Sequence, residues 1–297
     1  MHVLSYAPYG AEGILIRVEA DIRRGIPGVD LTGLADGAVR EARERVRAAF
    51  RNSGFQFPLD RVLVNLAPAG LRKEGAALDL PIAIAVMAAA GLVPNPENLM
   101  MLGELELSGR LRPVRGVLPA TAAGLKEGVE GFIVPLANAA EAAILAQGRY
   151  SAVSSLKEAV HVLQVRASTG LLPNLSSSIS EGKDDSAPKP LPLGRDFAEA
   201  RGQVRYKRAL EIAAAGSHNV LAFGPPGVGK TLLSRRIPSI MADLTGEEAV
   251  ESMRMHSLAG LLAGDGKLVC KPPFRAPHHS ASSEGVLGGT FYQAGGD

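Results

Sequence analysis

The stretch Gly224-Pro225-Pro226-Gly227-Val228-Gly229-Lys230-Thr231 has the spacing GxxxxGK[ST]. Its glycines leave backbone N–H groups uncovered, so that successive amides can converge on an anion at a helix N-terminus, where the dipole adds to the attraction. In such a loop Lys230 reaches the β- and γ-phosphates of a nucleotide, and Thr231 places its hydroxyl on Mg²⁺. Residues 224–231 are therefore the expected contacts to ATP, with Thr231 the expected link to Mg²⁺ through the nucleotide. Hydrolysis asks for more: an acid for Mg²⁺ and water, and an arginine commonly supplied by a neighbouring subunit. The acids after Thr231 are Asp243, Glu247, Glu248, Glu251, Asp265, Glu284 and Asp297. None ends a run of four apolar residues, as the acid of a Walker B strand does. The expectation is a nucleotide-binding fragment cut before its catalytic strand, and no catalytic residue is assigned.

A loop of this kind needs a strand before it and a helix after it. "NVLAF" (219–223) reads as the strand and 231–237 as the helix, stopped by Pro238. Upstream, Tyr206 to Ala215 reads as a helix ended by Gly216. Between Thr169 and Arg195, Ser, Pro, Gly and charge replace the apolar periodicity on both sides, which marks a linker. The expected division is a domain over 1–168, a linker over 169–195 and a second domain over 196–297.

The first domain alternates strand and helix patterns. "EGILIRVEADI" is a half-buried strand by its alternation. Asp36 caps a helix with Val39, Ala42, Val46, Ala49 and Phe50 on one face and Arg40, Arg43, Glu44, Arg47 and Arg51 on the other. "RVLVNLAP" is a strand, "LDLPIAIAVMAAAGL" a helix, and "GELELSGRLRPVRG" a hairpin turning at Ser108-Gly109. "ATAAGLKEG" and "NAAEAAILAQG" are helices around the strand "GFIVP". This is a mixed α/β layer.

Composition narrows the class. The chain of 297 residues is 46% hydrophobic, enough for two cores. Its 32 basic and 30 acidic residues are too balanced for bulk electrostatic capture of nucleic acid. One cysteine, Cys270, excludes an intrachain disulfide, and no apolar export segment opens the chain, so a cytoplasmic protein is expected. The run Leu78 to Val93 contains Asp79 and Pro81 and falls short of the roughly 20 residues of a membrane span.

"GQVRYKRALEIAAAGSHNVLAFGPPGVGKT" and "FRAPHHSAS" resemble the magnesium-chelatase-like AAA+ ATPases of the YifB/ComM family. "GLADGAVREARERVRAAFRNSGFQFP", "VNLAPAGLRKEGAALDLPIAIAVMAAAG" and "LGELELSGRLRPVRGVLPA" resemble the first domain of the same family. The resemblance implies an α/β protein: a Lon-protease-like α+β domain, then part of a P-loop AAA+ α/β domain. It also implies ATP and Mg²⁺ as cofactors, Gly202-Gln203 near the adenine, self-association into a hexameric ring, and branched or single-stranded DNA as a partner in recombination. A metal-chelatase motor is the rival enzyme reading, and a polypeptide that only binds nucleotide is the non-enzymatic one. Laid on the Lon patterns, "KEGAALD" puts Ala77 where the nucleophilic serine stands, and "GELELSGRLRPVRGVLP" puts Leu118 where the lysine base stands. Neither side chain can do that work, so proteolysis is not expected.

Other residues invite plainer readings. His278-His279 lack ligand partners at metal spacing, which favours a role in the "FRAPHH" loop over contact with a metal, DNA or a neighbouring subunit. Cys270 reads as a small packed residue. Arg40, Arg43, Arg47 and Arg51 could follow a phosphate backbone, but Glu41 and Glu44 interleave with them, and a solvated, salt-bridged face is the simpler reading. "LRKEG" (71–75) with Arg110, Arg112 and Arg115 adds positive charge nearby.

Overall fold

The computed structural model describes residues 1–9, 13–34, 36–71, 73, 75–173, 196–262, 267–278 and 280–282. In chain order the elements are β1 (His2–Ala7), β2 (Ile14–Arg23), β3 (Gly28–Thr32), α1 (Gly37–Asn52), β4 (Arg61–Ala67), α2 (Asp79–Ala89) and β5 (Leu99–Met101). There follow β6 (Glu104–Leu105), β7 (Leu111–Arg112), α3 (Val117–Lys126), β8 (Gly131–Pro135), α4 (Ala139–Ala146), β9 (Tyr150–Val153) and α5 (Leu156–Thr169). The remaining helices are α6 (Val204–Gly216), α7 (Lys230–Ser234) and α8 (Gly246–Leu258). They form two units: Met1–Lys189 with Val250–Leu268, and Pro190–Ala249 with Val269–Asp297.

The first unit is built on a seven-stranded sheet of order β3-β4-β2-β1-β5-β8-β9. Pairing is antiparallel at β1–β2 and β2–β4 and parallel at the other four joints, so the sheet is mostly parallel. Side chains alternate across it. Leu99, Met101 and Ile133 join the core packed with α1, α2 and α5, whereas Met100, Phe132 and Val134 join the one packed with α3 and α4. Because both faces are covered, β8 is buried at every position and reads as an unbroken apolar run.

The helices follow from their patterns. In α1 the five apolar residues of the expected face are all buried, and the Asp36 carboxylate accepts the Val39 N–H at 2.7 Å. α2 has no polar face: Asp79 to Ala88 are all buried. Its one charge, Asp79, is fully buried and accepts a fork from Arg45, at 2.7 Å from Nε and 2.9 Å from Nη2, with the Leu105 N–H at 3.1 Å. That carboxylate ties α1, α2 and β6 together. Burial pushes its pKa up against the pull of Arg45, while the bond to Asp79 holds the guanidinium above its ordinary value.

β6 and β7 form the expected hairpin, with the Gly109 N–H donating to Glu106 O at 2.9 Å. Gly109 has φ +85°, and a Cβ there would lie 2.2 Å from Ser53 Oγ, so only glycine lets this turn sit against the end of α1.

α5 and α8 have capping residues that mark their starts. Ser155 Oγ accepts the Glu158 N–H at 3.3 Å. At α8, Thr245 Oγ accepts from the Glu248 N–H at 3.4 Å while the Glu248 carboxylate accepts the Thr245 N–H at 2.8 Å, a reciprocal box that also holds Glu248 below the usual carboxylate pKa.

Tyr6 is buried, and desolvation pushes its phenol from 10.0 to about 12, opposed by the charge of Arg254. A folded-state value above the unfolded one means that Tyr6 stabilises the fold fully below about pH 10 and loses that contribution as pH rises through about 12. In an alkaline titration followed in the near ultraviolet, Tyr6→Phe should remove a phenol that ionises at about pH 12. Removal of one that ionises near pH 10 would contradict this.

Candidate nucleotide-binding site

The second unit centres on a small core of Phe197, Ala200, Leu210 and Leu233, with Tyr206, Ile237 and Ile240 packed against it. Leu233 plants α7 in that core, and α6 lies beside it through the Tyr206 hydroxyl, 3.4 Å from Ser234 Oγ. Arg236, nearly buried, donates to Leu232 O at 2.8 Å and Asp196 O at 3.2 Å, which fixes the chain leaving α7.

The loop 224–231 enters α7 from this platform. Gly224, Gly227 and Gly229 have φ of +150°, +85° and +90°, and at Gly227 and Gly229 a Cβ would meet nothing within 4 Å. Left-handed backbone therefore selects glycine here, and the absence of side chains leaves room for a ligand to approach the amides. Lys230 turns back over the loop, its Nζ donating to Gly224 O and Pro225 O, each at 2.8 Å. Pro226 and Val228 are exposed, and the Val228 carbonyl accepts from Gln203 Nε2 at 3.2 Å, so the segment preceding α6 holds the loop from outside. Thr231 is exposed in the first turn of α7. All eight sequence-assigned residues thus lie in one loop-to-helix junction, with the lysine directed into it.

Two expectations about its supports are corrected. Residues 219–223 make no strand: Leu221 is 89% and Phe223 92% exposed. No strand occurs among the described residues of this unit, and a lone segment without a ladder partner satisfies its amides with water. The helix expected over 231–237 is α7, five residues long, followed by a 3-10 turn over Ile237–Ser239 that contains Pro238. Proline lacks the N–H that would bond to Ser234 and keeps the preceding residue out of α geometry. So short a helix adds little dipole, which leaves the loop amides and Lys230 as the groups that can meet an anion here.

The remaining candidates separate. Asp243 pairs with Lys271, while Glu247, Glu248 and Glu251 lie on α8; Asp265, Glu284 and Asp297 lie outside the described residues. Cys270 is part-buried, and its carbonyl accepts from the Leu244 N–H at 2.6 Å. His278 Nδ1 is 2.7 Å from Ser280 Oγ, and His279 lies outside the described residues. No group of residues fit to hold a metal occurs among the described residues, and none of their helices is long and apolar enough to cross a membrane. In the first unit Ala77 packs against the core on the α3 and α4 side of the sheet, and Leu118 is fully buried with its N–H donating to Glu141 at 2.8 Å.

Two family descriptions match this chain: subunit ChlI of Mg-chelatase over residues 18–138, and magnesium chelatase, subunit ChlI, over residues 196–297. YifB of Escherichia coli is 38% identical over 95% of the chain, and the competence protein ComM of Haemophilus influenzae is 38% identical over 97%. The chain belongs to the magnesium-chelatase-like YifB/ComM family. It spans about half the length of these relatives, 54% of YifB and 55% of ComM. This YifB/ComM chain is also similar to the Lon protease of Geobacter metallireducens, 25% identical over 46% of the chain and 17% of that protein. The Lon-like reading of the fold agrees with that similarity.

Sequence reasoning missed Lys73. Its sequence neighbourhood reads only as added positive charge, yet the side chain is fully buried, donating to Gly33 O at 2.9 Å and to Pro68 O. Desolvation lowers its pKa. Arg112 is likewise engaged, by Glu106 at 2.9 Å and Glu104 at 3.8 Å. The charge of these two residues is thus held inside the protein or matched by neighbouring carboxylates.

Proposed function

We propose that residues 224–231 bind ATP with Mg²⁺, and that the chain is the nucleotide-binding part of a cytoplasmic ring motor acting on DNA. The observation that carries the nucleotide reading is Lys230 folded onto the carbonyls of a loop whose Gly227 and Gly229 leave their amides open. The loop amides and Lys230 would hold the phosphates, and the Thr231 hydroxyl would face Mg²⁺, which neutralises phosphate charge when bound. Gln203 keeps the loop in place through Val228 O.

Support for DNA and for ring assembly comes from similarity to a protein named for competence and from the AAA+ character of the family. The rival chelatase-type motor draws on the family description alone. It does not account for the Lon-like first domain. Proteolysis is not part of the proposal, because an alanine and a leucine supply neither nucleophile nor base.

Titration of the purified chain with a fluorescent ATP analogue and Mg²⁺ tests the reading, with turnover measured beside it, with and without branched DNA. Saturable binding that unlabelled ATP displaces is the expected result. Absence of binding at millimolar nucleotide would refute it, and binding without turnover would reduce the motor to a nucleotide-binding module.

A further inference from the structure

The charged face of α1 differs from the salt-bridged surface that its sequence suggests. The helix carries Arg40, Arg43, Arg45, Arg47 and Arg51 against Glu41 and Glu44. Arg45 is drawn away to the buried Asp79, and Glu41 follows it, 3.8 Å from its Nη1. Glu44 lies 3.6 Å from Arg43, with both side chains more than half exposed, a separation and exposure at which an ion pair holds weakly. Among the described residues, Arg40, Arg47 and Arg51 have no carboxylate within salt-bridge distance. The i, i+3, i+7, i+11 spacing places the four arginines in about a quarter of the circumference and along about 16 Å of the axis. Arg40, Arg43 and Arg51 are exposed, while Arg47 rests its guanidinium 5.3 Å from the centre of the Phe57 ring. Arg110, exposed and next to the Gly109 that abuts Ser53, adds a further cation at the C-terminal end of the helix.

We infer that this face of α1 docks the phosphate backbone of duplex DNA. The inference rests on the reading of the chain as part of a DNA-acting motor and assigns its partner a surface. Arginine forks suit phosphate oxygens, and a row of them contacts the backbone without reading bases, so binding is independent of sequence. A duplex fits better than a single strand because the face offers no stacking platform. Phe50 is buried, and the Phe57 ring is engaged edge-on with it, 5.0 Å between centres, and covered by Arg47.

The test is fluorescence anisotropy of the full chain with a labelled duplex of random sequence and the matching single strand, over a range of salt concentration. Arg40→Gln, Arg43→Gln and Arg51→Gln together should weaken duplex binding tenfold or more. They should also flatten the log–log salt slope by about 2.7, close to 0.9 for each phosphate that an arginine no longer neutralises. Three Arg→Lys replacements should retain most of the binding, and Glu41→Gln with Glu44→Gln should tighten it, which tests the inference even if the triple variant folds poorly. Unchanged affinity and slope in the folded triple variant would overturn the assignment while leaving a DNA-acting motor intact. Failure of the wild-type chain to bind any DNA would sink both, and tighter binding of the single strand or equal capture by an acidic polypeptide would remove the duplex as the partner.

Discussion

Lys230→Ala weakens ATP binding by about a hundredfold or more and leaves the first unit folded. The ammonium is the one full positive charge in the loop 224–231, and truncating one partner of a charged hydrogen-bonded pair costs about 2–5 kcal/mol, with each 1.4 kcal/mol a factor of ten. The acceptors that the lysine leaves behind, Gly224 O and Pro225 O, belong to exposed residues, so water replaces the ammonium and no buried group is orphaned. Arginine is a poor substitute, because its planar fork cannot fold onto two successive carbonyls and turn to the phosphates as a compact ammonium does. Titration with the fluorescent analogue, beside a thermal melt, measures both halves. Wild-type affinity in the alanine variant would move the nucleotide elsewhere in the molecule.

Asp79→Ala is the substitution with the largest expected effect on stability. It removes the carboxylate on which α1, α2 and β6 converge and leaves the Arg45 guanidinium, about four-fifths covered, without its fork acceptor. Breaking a buried pair from one side costs about 3–5 kcal/mol, which in a unit of this size lowers the melting temperature by on the order of 10 °C. Replacing both partners, Arg45→Met with Asp79→Leu, should recover most of the stability because no charge is then stranded. A melt of the single variant within about 1 kcal/mol of wild type would show that the pair is only tolerated rather than structural.

The sequence made most of the first unit legible because its periodicities are clean. The alternation in β2, the apolar stripe and Asp36 cap of α1, and the Ser108-Gly109 turn all correspond to elements that formed. β1 and β9 escaped notice for a physical reason. Sequences such as HVLSYA and YSAV, buried at most positions in an interior sheet, show neither alternation nor length. α5 and α8 were missed although the S-x-x-E and T-x-x-E signals stood at their starts. In the second unit, residue types and spacing picked out 224–231, which runs as a loop into the start of α7. They did not reveal that 219–223 lacks a ladder, because pairing is a property of the partner strand. Nor did they distinguish a buried Lys73 from an exposed one, since its acceptors, Gly33 O and Pro68 O, come from backbone outside its own turn.

α2 is enclosed along its length, which changes how this domain accepts variation. A helix with one wet side, such as α1, offers positions that the packing of the fold leaves open to many residues. α2 offers none from Asp79 to Ala88: a longer side chain meets packed neighbours, a shorter one leaves a void, and a polar one arrives without a partner. Repairs there come only from compensating changes in the strands and helices around it, so the central pillar and its surroundings must drift together.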